Sequence, residues 1–329
     1  MLRRACWLLA IAVFSPNLTQ AAGIQFLDPA SGLTGAIWYP CAAAAQTVPL
    51  GPLAVATGAT LRDSLTGVKD CPVAGNRLPL NIISHGRGGW FAGHHDTAAA
   101  LADAGFVVAA INHPGDNTND ASHRNDLSIL ATRPADIVRL IDLMLNGWKD
   151  SAGIDRERIG FFGFSRGGYT GLVLAGAKPD FRRIARFCPD TEATPACEQF
   201  RSGDIPGDPP HDPRINAFVV ADPGPTYPFT SQNLAGIKPP LQVWRSELLE
   251  GNEDDVAGIA RVARSLPGTP DVHVVARAGH WAFLPPCTAA QTASSPRLCS
   301  DAKDFDRAAF HDAFNASVVA FFREHLGAR

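Results

Sequence analysis

The sequence has no run of basic residues, no C-x-x-C motif and no linker that would divide it into two domains. A protein that binds nucleic acid needs clustered lysine and arginine to neutralise phosphates. This chain of 329 residues has a net charge of −3, so no nucleic-acid partner is expected. The missing C-x-x-C motif argues against a zinc ribbon or a thioredoxin-type redox site. The apolar content of 46% is ample for the core of one large domain.

The start of the chain has the pattern of a secretion signal. After a short cationic start, residues 5–14 are apolar and 15–23 are polar or small, with cleavage expected near Ala21 or Ala22. The apolar stretch is too short to span a bilayer comfortably. We predict a signal peptide over 1–22 and an exported mature chain, periplasmic or secreted, with no stable membrane anchor.

The cysteines agree with export. Once Cys6 leaves with the signal segment, an even number remains, as an oxidising compartment favours. They fall into three close groups along the chain. This grouping predicts three disulfides, each closing an irregular loop: Cys41–Cys71, Cys188–Cys197 and Cys287–Cys299.

Apolar runs and helical patterns alternate through the rest of the chain. Short, wholly apolar runs are typical of strands buried on both faces of a parallel sheet, and they occur at 33–39, 78–84, 107–112, 159–164, 217–221, 241–244 and 272–275. Helical spacing occurs at 97–104, 134–145, 167–175, 256–265 and 310–326. The alternation predicts one α/β domain over 23–329, with a mostly parallel, doubly wound sheet and helices on both faces.

Three irregular segments interrupt this alternation, and each holds one of the cysteine pairs. They are 40–77, 178–213 and 285–303. Long irregular segments in a compact domain are usually functional loops. The segment 178–213 follows the helix predicted at 167–175, and we interpret it as a lid insertion.

The strongest chemical signal is 163–168, Gly-Phe-Ser-Arg-Gly-Gly. It follows an apolar strand and opens a helix, which is the setting of a nucleophile elbow, where a sharp turn holds a strained serine with its hydroxyl exposed. The flanking glycines are needed because side chains there would collide with backbone. A helix N-terminus favours the negative charge that develops beside the serine. Ser165 is the predicted nucleophile.

A glycine-rich loop, 85–89, follows the early strand at 78–84. With such an elbow, one oxyanion-hole donor comes from a loop in this position and the other from the residue after the nucleophile. The predicted donors are the backbone N–H groups of Arg87 and Arg166. His85 is expected to brace the loop and not to transfer protons.

The general base is predicted to be His280, which lies in a loop directly after the last predicted strand. A free serine hydroxyl is a weak nucleophile and needs such a base. Two places could supply the acid. Asp222 lies at the tip of the strand after the nucleophile helix, and Glu247 and Glu250 lie after the next strand. We favour Asp222 and leave the two glutamates open.

Together these motifs resemble those of the exported bacterial dienelactone hydrolase-like proteins, relatives of the platelet-activating-factor acetylhydrolases. The resemblance rests on 84–89, Ser-His-Gly-Arg-Gly-Gly, 111–116, Ile-Asn-His-Pro-Gly-Asp, the elbow at 163–168, and 278–281, Ala-Gly-His-Trp, together with Cys299 and 305–311. It implies an α/β-hydrolase fold and hydrolysis of a carboxylic ester or lactone without a cofactor.

The resemblance also bears on the site residues. In the acetylhydrolase branch the acid follows the strand after the nucleophile, which corresponds to Asp222. Many relatives have an aspartate after the later strand, where this chain reads Glu-Leu-Leu-Glu at 247–250. Serine at position 165 excludes the cysteine nucleophile of true dienelactone hydrolases.

The predicted function is therefore acyl transfer from a small-molecule ester through a Ser-His-acid triad. A peptidase or amidase could use the same triad, and a binding protein on a hydrolase fold is the alternative from another class. No metal is expected, because the spacing of the histidines and aspartates at 94–96 and 113–123 matches no metal site that we can justify. The acyl length, the choice of ester or lactone, and the oligomeric state stay open.

Overall fold

The computed structural model of the chain describes residues 21–57, 60–248 and 253–327. The predicted signal peptide falls almost entirely on residues 1–20, which lie outside the described residues, as does Glu250. Within the described ranges, no helix is long and apolar enough to cross a membrane.

The described chain contains one large sheet and one small hairpin. The strands are β1 (Gly23–Phe26), β2 (Gly35–Tyr39), β3 (Gln46–Pro49), β4 (Val55–Thr57), β5 (Thr60–Arg62), β6 (Ser64–Lys69), β7 (Leu78–Ser84), β8 (Val107–Ile111), β9 (Ile154–Phe164), β10 (Ile215–Ala221), β11 (Leu241–Ser246) and β12 (Asp271–Val275). The large sheet has ten strands in the order β12-β11-β10-β9-β7-β8-β2-β1-β6-β3, and β4 pairs with β5. The strands from β12 to β8 are parallel, and β2 turns antiparallel to β8.

Helices cover both faces of this sheet. They are α1 (His95–Asp103), α2 (Ile129–Asn146), α3 (Arg166–Leu174), α4 (Pro195–Ser202), α5 (Ser231–Leu234), α6 (Glu253–Ser265), α7 (Ala289–Ser294), α8 (Pro296–Cys299) and α9 (Arg307–Leu326). One core layer joins α2, α3 and α6 to the sheet, and the other joins α1 and α9. Successive side chains of a strand point to opposite faces of the sheet. In β9, Phe161 therefore belongs to the first core layer and Phe162 to the second. The predicted doubly wound fold with a mostly parallel sheet is confirmed.

Two parts of the sequence interpretation are wrong in detail. The segment 40–77 is not simply loop, since it contains β3 to β6, and β6 extends the sheet beside β1. Exposed and buried residues are mixed along β6, so it lacks the wholly apolar run that marked the central strands. Helix α2 begins at Ile129 and not at Pro134, which lies inside it. The first turn forms because Leu130 and Arg133 are buried by the rest of the fold.

The irregular segments are cross-linked as the cysteine grouping predicted. The three disulfides of the structure are Cys41–Cys71, Cys188–Cys197 and Cys287–Cys299. The segments 178–213 and 285–303 are also less irregular than expected, because the first contains α4 and the second α7 and α8. Each of these helices is at most 8 residues long, too short to give a clear periodic signal.

Helix α3 packs against β7 without space for a side chain at Gly167. A Cβ atom built there would overlap the carbonyl oxygen of Ser84, which is a backbone atom and cannot swing aside. We expect Gly167→Ala to push α3 away from β7 and to lower the free energy of unfolding by about 3 kcal/mol. Gly153→Ala is the matched control, because a Cβ there meets nothing within 4 Å and should change stability by less than about 0.5 kcal/mol. Denaturant unfolding under non-reducing conditions measures both, and equal midpoints would contradict the close packing.

Candidate active site

The carboxyl ends of β7 and β9 meet where the winding of the sheet reverses. The chain places β8 on one side of β7 and β9 on the other, so the loops after β7 and β9 diverge to opposite sides. In open α/β sheets, ligands bind in the crevice outside the carboxyl ends of the strands at such a point. The residues predicted from the sequence lie along this edge, after β7, β9, β10 and β12.

Ser165 occupies the sharp turn between β9 and α3. Its φ of 55° and ψ of −116° are outside the usual regions for a residue with a side chain, a strain of about 1–3 kcal/mol that the surroundings must hold. The backbone is fixed on both sides, because Ser165 N donates to Ala221 O at 2.8 Å and Gly224 N donates to Ser165 O at 3.0 Å. This is the geometry of a nucleophile elbow.

The structure brings Ser165, His280 and Asp222 into one hydrogen-bonded chain. His280 Nε2 lies 3.0 Å from Ser165 Oγ, and His280 Nδ1 lies 3.0 Å from Asp222 Oδ2. A carboxylate accepts, so Nδ1 carries the proton and Nε2 is the ring nitrogen left to accept from the serine hydroxyl. His280 begins a short 3-10 turn, His280–Phe283, that follows β12.

Asp222 is 1% exposed and its carboxylate is held by two further donors. Ser246 N donates to Oδ1 at 2.7 Å and Ser246 Oγ donates to Oδ2 at 2.7 Å. Both come from the end of β11, which pairs with β10 through Ala221 opposite Trp244. Sequence reasoning missed Ser246, because the pairing that brings it to Asp222 is visible only in the sheet register.

The alternative acids are placed differently. The Glu247 carboxylate accepts from Arg277 N at 2.8 Å in an exposed turn. Glu250 lies outside the described residues. Of the acid candidates that the structure describes, Asp222 is the one in contact with His280.

The loop after β7 lies beside the elbow, and some of its amides are already engaged. Gly88 N donates to Asp116 Oδ1 at 2.9 Å and Gly89 N donates to Gly86 O at 3.1 Å. Within the described chain, the N–H groups of Arg87 and Arg166 donate to no protein group, and both residues line the cleft at Ser165. Two amides are thus available where the sequence predicted an oxyanion hole.

His85 braces this loop from below. Its Nδ1 donates to Gly86 O at 2.7 Å and its Nε2 accepts from His113 N at 3.2 Å, which fixes the neutral tautomer. Burial, with the neighbouring Arg133 charge, holds the pKa of His85 well below its usual value. The ring therefore stays neutral and ties the loop to the turn after β8.

A second Ser-His-Asp chain lies inside the protein. Ser84 Oγ is 2.9 Å from His113 Nε2, and His113 Nδ1 is 3.1 Å from Asp136 Oδ2. Ser84 and His113 are both fully buried, so no substrate can reach this serine. Burial raises the pKa of Asp136 to about 6 and lowers that of His113 well below its usual value. Only the chain at Ser165 faces the cleft.

The cleft in front of Ser165 has a volume of about 510 Å³. Its apolar wall is formed by Leu127, Leu130, Ile184, Tyr227 and Ile259, and the polar side by Arg87, Arg124 and Asn125. Through Ile184, Thr194 and Ala196, the segment 178–213 forms part of this wall, in the region interpreted as a lid. The cleft is large enough for a small-molecule ligand.

His311 supports the turn that carries His280. Its Nε2 donates to Ala282 O at 2.9 Å, two residues beyond His280, and its Nδ1 lies 2.6 Å from Asp96 Oδ2. These contacts join α9 and α1 to the turn that carries His280. Nothing in the local sequence signals this, because His311 and Asp96 are separated by more than 200 positions. In the described ranges, no group of His, Cys, Asp or Glu is arranged to hold a metal ion. Asp96 is instead the partner of His311.

The buried His94 gives a pH-dependent contribution to stability. Burial lowers its pKa from 6.5 to about 4. Between pH 6.5 and pH 4, the histidine is therefore protonated in the unfolded chain and neutral in the folded chain. Stability is therefore lost as pH falls through 6.5 towards 4, by about 2 kcal/mol between pH 7 and pH 5. We expect His94→Phe, which cannot titrate, to reduce the acid loss of the free energy of unfolding by about that amount. Urea unfolding of both proteins at the two pH values measures it, and an equal loss in both would contradict the assignment.

Comparisons with known proteins bear on the fold. No protein-family model matches the sequence, and no curated protein matches it. The structure is similar to that of a ferulic acid esterase from Streptomyces cinnamoneus, with a TM-score of 0.62 and 19% identity over 96% of this chain and 93% of that one. A dienelactone hydrolase from Anabaena variabilis matches with a TM-score of 0.46 and 15% identity over 86% of this chain and 99% of that one. The first likeness is one of fold, and with the elbow geometry it identifies the chain as an α/β-hydrolase fold.

Proposed function

We propose that the protein is a serine hydrolase that cleaves a carboxylic ester of a small molecule through an acyl-enzyme. The observation that carries the proposal is the hydrogen-bonded chain from Asp222 through His280 to Ser165, which ends at a strained elbow facing an open cleft. A non-catalytic binding protein has no need to keep this geometry. The fold shared with a ferulic acid esterase supports the choice of an ester.

The first half of the reaction forms the acyl-enzyme. His280 Nε2 takes the hydroxyl proton as Ser165 Oγ bonds to the ester carbonyl carbon, and the carbonyl oxygen becomes an oxyanion that accepts from Arg87 N–H and Arg166 N–H. The protonated His280 then gives its proton to the leaving alkoxide as the carbon–oxygen bond breaks. Asp222 orients the ring and stabilises its charged form.

The second half repeats these steps with water. His280 deprotonates a water molecule, which attacks the acyl carbon. The second tetrahedral oxyanion accepts hydrogen bonds from the same two amides. Collapse returns the proton to Ser165 Oγ and releases the carboxylic acid. A lactone would react in the same way, except that its alcohol and acid remain joined in one product.

We also propose that the protein works outside the cytoplasm. Disulfides form and persist in oxidising compartments, and the three disulfides described above are spread over separate parts of the chain. Together with the amino-terminal pattern, they support a periplasmic or secreted protein.

Hydrolysis of p-nitrophenyl esters tests the nucleophile. With purified mature protein and a series from acetate to dodecanoate, Ser165→Ala should lower kcat about 10⁵-fold or more, because the residual catalysis comes only from binding and the oxyanion donors. A fluorophosphonate probe should label Ser165 in the parent protein and leave the variant unlabelled. Unchanged turnover in Ser165→Ala, or labelling at another residue, would move the chemistry elsewhere.

The choice of acid has its own test. Asp222→Asn keeps the shape but fails to hold His280 in the correct tautomer, so kcat should fall about 10⁴-fold while the melting temperature shows that the protein is folded. Glu247→Gln is the matched control, since its carboxylate bonds to Arg277 N away from His280, and it should keep kcat within about twofold. A collapse in Glu247→Gln or Glu250→Gln with near-normal activity in Asp222→Asn would reverse the assignment.

A further inference from the structure

A buried carboxylate that takes no part in the proposed reaction is bonded close to the two proposed oxyanion-hole donors. Asp116 is fully buried at the turn after β8. Its Oδ1 accepts from Gly88 N at 2.9 Å, and its Oδ2 accepts from Arg133 at 2.7 Å and from Arg166 at 2.8 Å. A buried charge is costly unless it is paired and hydrogen-bonded, and this one has partners on both oxygens.

The partners of Asp116 belong to both sides of the oxyanion site. Arg166 is the residue after the proposed nucleophile, and its side chain donates to Asp116 while the residue itself lines the cleft. Gly88 follows Arg87, whose N–H is the other available amide. One carboxylate group is therefore bonded to both elements that supply the donors.

Arg133 extends this attachment to the start of the loop. The Arg133 side chain is fully buried, and while one nitrogen donates to Asp116, another donates to His85 O. The Arg87 N–H lies between two fixed points, since the His85 carbonyl precedes it in the chain and the Gly88 amide follows it. Both fixed points depend on the same Asp116–Arg133 pair.

The charges in this cluster favour an ionised Asp116. Burial opposes ionisation, but Arg133 and Arg166 together hold the pKa of Asp116 below its usual value. A third cation, Arg124, has its Nε 3.7 Å from Asp116 Oδ1. Charge-assisted hydrogen bonds of this kind are stronger and more directional than neutral ones, which suits a group that must fix a loop.

We propose that Asp116 is the positioning residue of the oxyanion hole, which holds the amides of Arg87 and Arg166 at the spacing that the tetrahedral oxyanion requires. The inference rests on the proposed function. A preorganised donor acts without reorganisation when charge develops, so a loop displaced by a fraction of an ångström loses transition-state stabilisation before it loses substrate binding. The effect should appear in kcat and not in KM.

The test compares Asp116→Ala and Asp116→Asn with Asp212→Asn. Asp212 is a suitable control because it is also buried, at 3% exposed, and accepts from Arg214. Although it ends the segment 178–213, it is not among the residues that line the cleft, and it precedes β10, at the opposite end of that strand from Asp222. We expect Asp116→Ala to lower kcat about 10²-fold and Asp116→Asn about tenfold, with KM within about threefold. Asp212→Asn should cost stability and leave kcat unchanged.

Two further measurements separate positioning from general damage. The affinity for a trifluoromethyl ketone with the same acyl chain, which forms a tetrahedral oxyanion on Ser165, should fall in parallel with kcat/KM across the Asp116 variants. The midpoint of the pH profile of kcat/KM should stay where it is in the parent protein, because His280 and Asp222 make no contact with Asp116.

Each outcome decides the inference. Asp116 variants with kcat within threefold of the parent protein overturn it, as does a loss of kcat without a loss of ketone affinity. If neither Asp116 variant folds, Arg166→Met removes the partly exposed end of the link, and an unchanged kcat there overturns it too. A parent protein that neither hydrolyses any ester nor labels at Ser165 refutes the proposed function itself, whereas activity that is lost in Ser165→Ala but kept in the Asp116 variants refutes only the role of Asp116.

Discussion

The close contact between α3 and β7 determines how the rest of the site can be built. Because Gly167 has no side chain, the helix approaches the Ser84 carbonyl directly, and the chain must turn sharply at Ser165 to enter it. The strained φ of that serine is the consequence, and the hydrogen bonds of its backbone to Ala221 and Gly224 hold it. The same approach brings the loop after β7 beside the elbow, so Arg87 and Arg166, whose amides have no protein acceptor, line one cleft. A wider spacing between α3 and β7 would both release the strained backbone of Ser165 and move the amides of Arg87 and Arg166 apart.

Two buried polar systems flank Ser165, and each is centred on an aspartate. On one side Asp222 holds His280 with the help of Ser246, and on the other Asp116 joins Arg133 and Arg166. Buried charges add little net stability, since desolvation offsets most of the attraction. Both oxygens of Asp222 and both oxygens of Asp116 accept hydrogen bonds, and this restricts each carboxylate to one arrangement. The strained Ser165 thus has a buried hydrogen-bonded aspartate on each side.

The sequence predicted the central sheet well and its edge poorly, for a physical reason. Strands such as β7 and β9 are buried on both faces and read as continuous apolar runs, whereas β6 buries one face and resembles a loop. The nucleophile and the base that we propose were recognisable from local context, since an elbow and a histidine after a late strand need only neighbouring residues. The acid was not, because Asp222 and Glu247 both follow strands and only the register of β10 with β11 distinguishes them. Arg133 was not singled out from the sequence, because an arginine just before a predicted helix gives no local sign that its side chain is fully buried.

The support given by His311 has a consequence for the order in which the site matures. Ser165 and the loop after β7 are synthesised well before α9, which begins at Arg307. The turn of His280 is fastened only when α9 has packed against α1, because the donor to Ala282 is carried by that helix. A chain synthesised as far as Gly224 therefore has the residues that hold the strained turn at Ser165, before the helix that supports the turn of His280 exists. The placement of His280 beside Ser165 is thus completed by a helix that carries none of the three residues of that hydrogen-bonded chain.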